Sequence, residues 1–283
     1  MLFAGSKFPV ATRWKEPFAL NLAQFLNASA LLRDVVDTAS PACFDIAGLN
    51  DTTTSTGMFG LQMQPGCVER ARGLQDQGYR VEPVVSCGAA NCTIDVMRQR
   101  LGDTRFVQSC ADAMAALNAS GLVFDVELEA SNASDGAAFA VFLTQVRGEM
   151  RKRRADARVV VATGTGRMGK TDVLASSAAD IFVSMGTYFQ LKSFDSGIKN
   201  DVANVGAGRY SCGLCDSCAL QVHNNSVADI DARFERLAAD AVQHVAWWLL
   251  EYSPPAAAGP ALNASLHHEY WWSKIREWKR AAS

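Results

Sequence analysis

No stretch of this 283-residue chain approaches the ~20 consecutive apolar residues that a membrane span needs. Charge of either sign is nearly cancelled, with 27 Lys and Arg against 29 Asp and Glu, for a formal net charge of −2. That balance excludes a general electrostatic pull toward nucleic acid or an anionic membrane. Histidine is scarce, at four residues, and His267-His268 has no recognisable ligand spacing. Proline and glycine form no linker, and no low-complexity segment interrupts the sequence, so residues 1–283 read as one domain. The opening Met1-Leu-Phe-Ala-Gly-Ser-Lys7 lacks the charged start and apolar segment of a signal peptide, and reads as a truncated or trimmed start.

Hydrophobic residues, at 49%, are plentiful enough for a sizeable core. Seven of the eleven asparagines stand in N-x-S/T sequons: Asn27, Asn50, Asn91, Asn118, Asn132, Asn224 and Asn263. Random placement would give about one or two. The excess points to a glycosylating secretory pathway. Eight cysteines agree with that compartment. Five lie early (Cys43, Cys67, Cys87, Cys92, Cys110) and three late (Cys212, Cys215, Cys218). If all of them pair, at least one bridge joins the two groups. Cys87 and Cys92 are placed to bridge locally.

Short β-branched runs alternate with helical stretches. Strands are expected at 43–49, 81–86, 122–128, 158–163, 180–185, 202–209 and 244–250. Helices are expected at 67–79, 93–118 with a break at Gly102-Asp103, 135–154 opening after Ser134-Asp135, 171–178, 228–242 and 266–281. An eighth strand falls at Phe8–Trp14 or Phe18–Leu22. Near-continuous apolar strands suit a parallel sheet covered on both faces. Eight such units in this length suggest an α/β fold, a single (β/α)8 TIM barrel. A doubly wound open sheet fits the same alternation.

The segment Gly121-Leu-Val-Phe-Asp125-Val-Glu127-Leu-Glu129 carries the chemistry. Residues two apart in a strand share a face, so Asp125, Glu127 and Glu129 would crowd together. Like charges on one buried face raise at least one pKa, as a general acid requires. In a parallel barrel this strand end opens at the face where active sites are built.

The segment resembles the DxDxE signature of glycoside hydrolase family 18, the chitinases and their relatives. The resemblance implies Glu129 as the acid, Glu127 as the group orienting the substrate acetamide, and Asp125 as the first acid of the motif. Here Glu replaces the middle Asp, and Leu122-Val123 replaces the usual Asp-Gly lead. Ser86-Cys87-Gly88-Ala89 is similar to the family's Ser-x-Gly-Gly turn, and Arg105–Ser109 to the helix before the acidic strand. Asp180–Met185 resembles the sixth strand and its Met-x-Tyr-Asp end. Tyr188 comes one residue late, and Phe189 stands where Asp is expected. His244-Val-Ala-Trp247-Trp248 resembles the last strand, with Trp248 as the floor of the sugar site. The resemblance spans about residues 80–250. It implies a secreted, monomeric hydrolase of oligo- or polysaccharides with β-linked N-acetylglucosamine. Ser86, Met185, Tyr188 and Trp248 would contact substrate. The implied mechanism is substrate-assisted retention, with no cofactor and no metal. A glycan-binding lectin on the same fold is the alternative.

Rival signals exist. Gly164-Thr-Gly-Arg-Met-Gly169-Lys170-Thr171 matches the P-loop pattern of nucleotide-binding proteins. Cys212-x2-Cys215-x2-Cys218 with His223 could hold zinc, though disulfides suit the compartment better. Asp125-Val-Glu127 also fits a muramidase-like barrel. The basic run Arg147, Arg151, Lys152, Arg153, Arg154 and Arg158 falls at a helix end, where cations suit the dipole. Trp271, Trp272 and Trp278 read as core packing.

Overall fold

The computed structural model describes residues 2–4, 26–27, 29–48, 57–87, 92–128, 132–164, 167–188, 191–215, 226–248 and 268–282. Strands are β1 (Leu2–Ala4), β2 (Thr38–Ile46), β3 (Leu61–Met63), β4 (Arg80–Val81), β5 (Val84–Ser86), β6 (Gly121–Asp125), β7 (Arg158–Thr163), β8 (Ile181–Ser184), β9 (Tyr210–Leu214) and β10 (His244–Trp248). Helices are α1 (Cys67–Asp76), α2 (Ile94–Leu101), α3 (Thr104–Ala116), α4 (Ala133–Arg153), α5 (Thr171–Leu174), α6 (Leu191–Val205), α7 (Val227–Ala239) and α8 (His268–Ala282).

The result is a mixed α/β fold around a parallel sheet, as the alternation of elements predicts. Parallel pairs run β2–β5, β5–β6, β6–β7, β7–β8, β8–β9 and β9–β10. β1 pairs in parallel with both β10 and β2. β3 folds back antiparallel on β2, and β4 lies beside the start of β2.

The two faces of the sheet separate by alternation. Val84, Val123, Val160, Ile181, Val183 and Ala246 form a small cluster of their own on the inner face. Val85, Leu122, Phe124, Val159, Val161, Phe182 and Trp247 belong to the large outer core under the helices. There Phe142 of α4 stacks on Phe106 of α3 and meets Phe124 edge-on. Trp247 packs against Trp271 and Trp272 of α8, both buried, so those tryptophans are core as expected. At Gly121 a side chain would run into the Arg158 backbone, so only glycine lets β6 and β7 start side by side.

Two expectations need correction, and a third falls outside the described residues. The strand proposed at 202–209 is the end of α6, followed by β9 at Tyr210–Leu214. Gly206 caps α6 in the left-handed region (φ 81°), and its N–H reaches the Val202 carbonyl. The N-cap of α4 is Asn132, whose side chain accepts the Asp135 N–H, and Ser134 and Asp135 lie within the helix. Both candidate positions for an early strand lie outside the described residues, while β1 stands before them.

Cys43–Cys67 and Cys87–Cys92 are disulfides, the second as expected. Cys215 is also disulfide-bonded, which removes it from a zinc set. Cys110 and Cys212 are buried free thiols, so the cysteines do not all pair and no long-range bridge is required. The basic run is largely matched by carboxylates: Arg147 and Arg151 by Asp180, Arg153 by Asp112, Arg154 by Asp156, and Arg158 by Glu82.

Candidate active site

The described residues expected to form a site all lie at or just past the carboxyl ends of strands. Ser86 ends β5, Asp125 ends β6, Trp248 ends β10, and Met185 follows β8 directly. Tyr188 closes the short 3-10 turn Gly186–Tyr188 after β8. The Thr187 hydroxyl in that turn donates to the Gly213 carbonyl at 2.7 Å, and buried Arg233 donates to the Thr187 carbonyl at 3.0 Å. Met185 is half-buried, two residues beyond inner-face Val183, and its N–H bonds the Thr163 carbonyl at 2.7 Å.

Asp125 sits in register with Ser86, two positions after inner-face Val123. Its side chain is 1% exposed, and neither carboxylate oxygen has a hydrogen-bond partner among the described residues. Burial, and then the nearby Glu127 charge, push its pKa up to about 7. Glu127 lies past the end of β6 with an exposed side chain, and desolvation lifts its pKa as well. The strand stops at Asp125, short of the expected 122–128, so Glu127 stands beyond its end. Glu129 lies outside the described residues. The far end of that connection is fixed by Arg98, which grips buried Asp135 through two hydrogen bonds at 2.9 and 3.0 Å.

Sequence reasoning missed Asp45. It pairs in register with Ser86, so Asp45, Ser86 and Asp125 form one row across three neighbouring strands. Strand spacing puts the backbones of Asp45 and Asp125 about 10 Å apart. The Asp45 carboxylate accepts a 2.9 Å hydrogen bond from Gln64, and burial raises its pKa. A signal was present: Cys43-Phe-Asp45-Ile repeats the Val123-Phe-Asp125-Val pattern of an apolar strand ending in an acid.

The P-loop pattern takes a different shape here. The Gly164 N–H is bonded to the Gly169 carbonyl, closing the loop on itself. Lys170 precedes a helix of four residues. The Thr171 hydroxyl donates to Asp201, and the adjoining cavity of about 480 Å³ is lined by both Asp172 and Asp201. Two carboxylates and a committed hydroxyl disfavour a phosphate.

Solved structures then bear on the whole arrangement. A chitinase from Chromobacterium violaceum superposes with a TM-score of 0.67 at 11% identity, covering 90% of this chain and 95% of that one. The GH18 chitinase ChiB of Flavobacterium johnsoniae gives 0.61 at 12%, covering 90% and 92%. A family 18 chitinase from Crocus vernus gives 0.59 at 11%, covering 86% and 90%. The fold is that of the family 18 chitinases. No protein-family model matches the sequence. No curated protein matches it either. The family 18 fold is thus present in divergent form, at an identity that speaks to architecture alone. Within that fold, Ser86 and Asp125 lie at the carboxyl ends of neighbouring parallel strands.

Proposed function

We propose that this chain is a secreted, monomeric glycoside hydrolase that cleaves glycans containing β-linked N-acetylglucosamine on a (β/α)8 barrel. The pairing of β1 with both β2 and β10 supports the barrel. Asp125 carries the reading. A carboxylic acid left unpartnered in a buried position costs stability, and its place at a strand end on the inner face gives that cost a chemical purpose.

In the mechanism, the N-acetyl oxygen of the bound sugar attacks C1 while Glu129 protonates the departing glycosidic oxygen. The bond to the leaving group breaks, and a cyclic oxazolinium forms in its place. Water then opens that ring at C1 with retention, and Glu129 takes back a proton. Glu127 holds the acetamide and balances its positive charge. The Asp125 carboxyl, pushed up by burial and then by the Glu127 charge, sets the electrostatic surroundings of that neighbour. Ser86, Met185, Tyr188 and Trp248 line the sugar. The disulfides Cys43–Cys67 and Cys87–Cys92 support an oxidising compartment. Of the sequons, Asn27, Asn118 and Asn132 are exposed.

The test is fluorophore release from chitobiose and chitotriose conjugates by the wild type and Glu129→Gln. The expected loss is roughly 10²–10⁴-fold with the fold intact. Saturable binding of chitin oligosaccharides without turnover would instead make the protein a lectin. The absence of both binding and turnover would overturn the assignment.

A further inference from the structure

Asp45 has no part in the mechanism above, yet it occupies the same inner row as Asp125, two strands away. It is held firmly. Its strand carries the Cys43–Cys67 disulfide two residues earlier, and β3 pairs back on it through Gln62. The Gln64 N–H bonds the Cys43 carbonyl at 2.7 Å, which aims the Gln64 amide at the Asp45 carboxylate. Gln64 is its one donor among the described residues, and it engages a single oxygen of the Asp45 carboxylate.

The row also has no balancing cation among the described residues. Among the described residues, no Lys, Arg or His forms an ion pair with Asp45, Asp125 or Glu127. Three other acids of the chain are answered with arginine, Glu82, Asp135 and Asp180, while half-buried Asp201 takes the Thr171 hydroxyl. A neutral acetamido sugar offers such a row only hydrogen bonds. A protonated amine offers a charge-assisted one, which counts for more beside partly buried carboxylates.

The reaction itself needs an N-acetyl group on the sugar beside Glu127, so an amine must enter through a neighbouring unit. We propose that Asp45 makes this site select glycans in which the sugar adjoining the cleaved N-acetylglucosamine carries a free amino group, as in partly de-N-acetylated chitin. The inference rests on the glycosidase reading and names its substrate class. Asp45 acts here as a specificity residue, outside the bond-breaking step.

The experiment compares fully N-acetylated chitotetraose with chitotetraose containing one glucosamine unit. Turnover and calorimetric binding are measured at mildly acidic pH for the wild type, Asp45→Asn and Asp45→Glu. Asn keeps the size and the Gln64 contact but drops the charge. The wild type is expected to prefer the amine-bearing substrate by roughly tenfold, the worth of one close charge pair. Asp45→Asn should lose that preference while changing the fully acetylated substrate less than about twofold. Asp45→Glu should restore part of it, and added salt should shrink it. Turnover with no preference, or equal losses on both substrates, overturns the role of Asp45 and leaves the hydrolase standing. Preferential binding without turnover supports Asp45 and overturns hydrolysis. Neither binding nor turnover overturns both.

Discussion

Two acids are buried in this sheet at opposite ends. Glu82 lies between β4 and β5, at the amino ends of the strands, and is 0% exposed. Asp125 ends β6, at the carboxyl ends, and is 1% exposed. Burial raises the pKa of both, but their neighbours act in opposite directions. Arg158 sits 2.6 Å from Glu82 and opposes the rise, whereas Glu127 adds to the rise at Asp125. Arg158 also reaches the Thr38 hydroxyl at 3.1 Å, tying the starts of three strands together. One acid is built into the fold. The other ends its strand with no hydrogen-bond partner among the described residues. The contrast teaches that two equally buried acids can differ in the charge beside them, a cation at Glu82 and a second carboxylate at Asp125.

That contrast can be broken by mutation. Arg158→Met strands the Glu82 charge and should cost about 2–3 kcal/mol in urea unfolding, at the lower end because Arg158 is part-exposed. Replacing both together, Glu82→Leu with Arg158→Met, should recover most of that loss. Full stability in the single variant would mean that the pair does not hold the strands.

The pH dependence sharpens the comparison next. Asp125 has a folded-state pKa near 7 against an ordinary value of 3.8, so the folded state binds the extra proton. Its contribution to stability is therefore complete below the ordinary value and is lost as pH rises through the folded one. Between those limits the wild type should lose stability relative to Asp125→Asn by at most about 1.4 kcal/mol per pH unit. Unfolding curves of the two proteins across that window would show it, and parallel curves would remove the case for a raised pKa. The smallest effect is expected from Glu127→Gln. Since burial is the larger cause at Asp125, its titration should fall by less than half of its rise. Carboxyl carbon NMR would read that shift directly.

Much of this was legible in the sequence, for identifiable reasons. The strand ending in Asp125 reads clearly because Leu-Val-Phe-Asp switches abruptly from apolar to acidic. Strand β9 does not, because Ser211 and Gly213 alternate with Tyr210, Cys212 and Leu214, and such small residues suit a tightly filled inner face without looking hydrophobic. The preceding segment was misread as a strand although Gly206 gave a helix-stop signal. Asp45 escaped notice because its role depends on register with Ser86, a long-range fact that no local pattern states. The P-loop match shows the converse, a complete local pattern on a four-residue helix with its hydroxyl already engaged.

The account stands most directly on Asp125→Asn, assayed for chitotriose hydrolysis and for urea unfolding on one preparation at neutral pH. An acid kept for chemistry should give a loss of at least about 100-fold in kcat/KM, with stability unchanged or higher. Intact hydrolysis with a stability loss above about 2 kcal/mol would place Asp125 with Glu82, as part of the framework, and contradict the account.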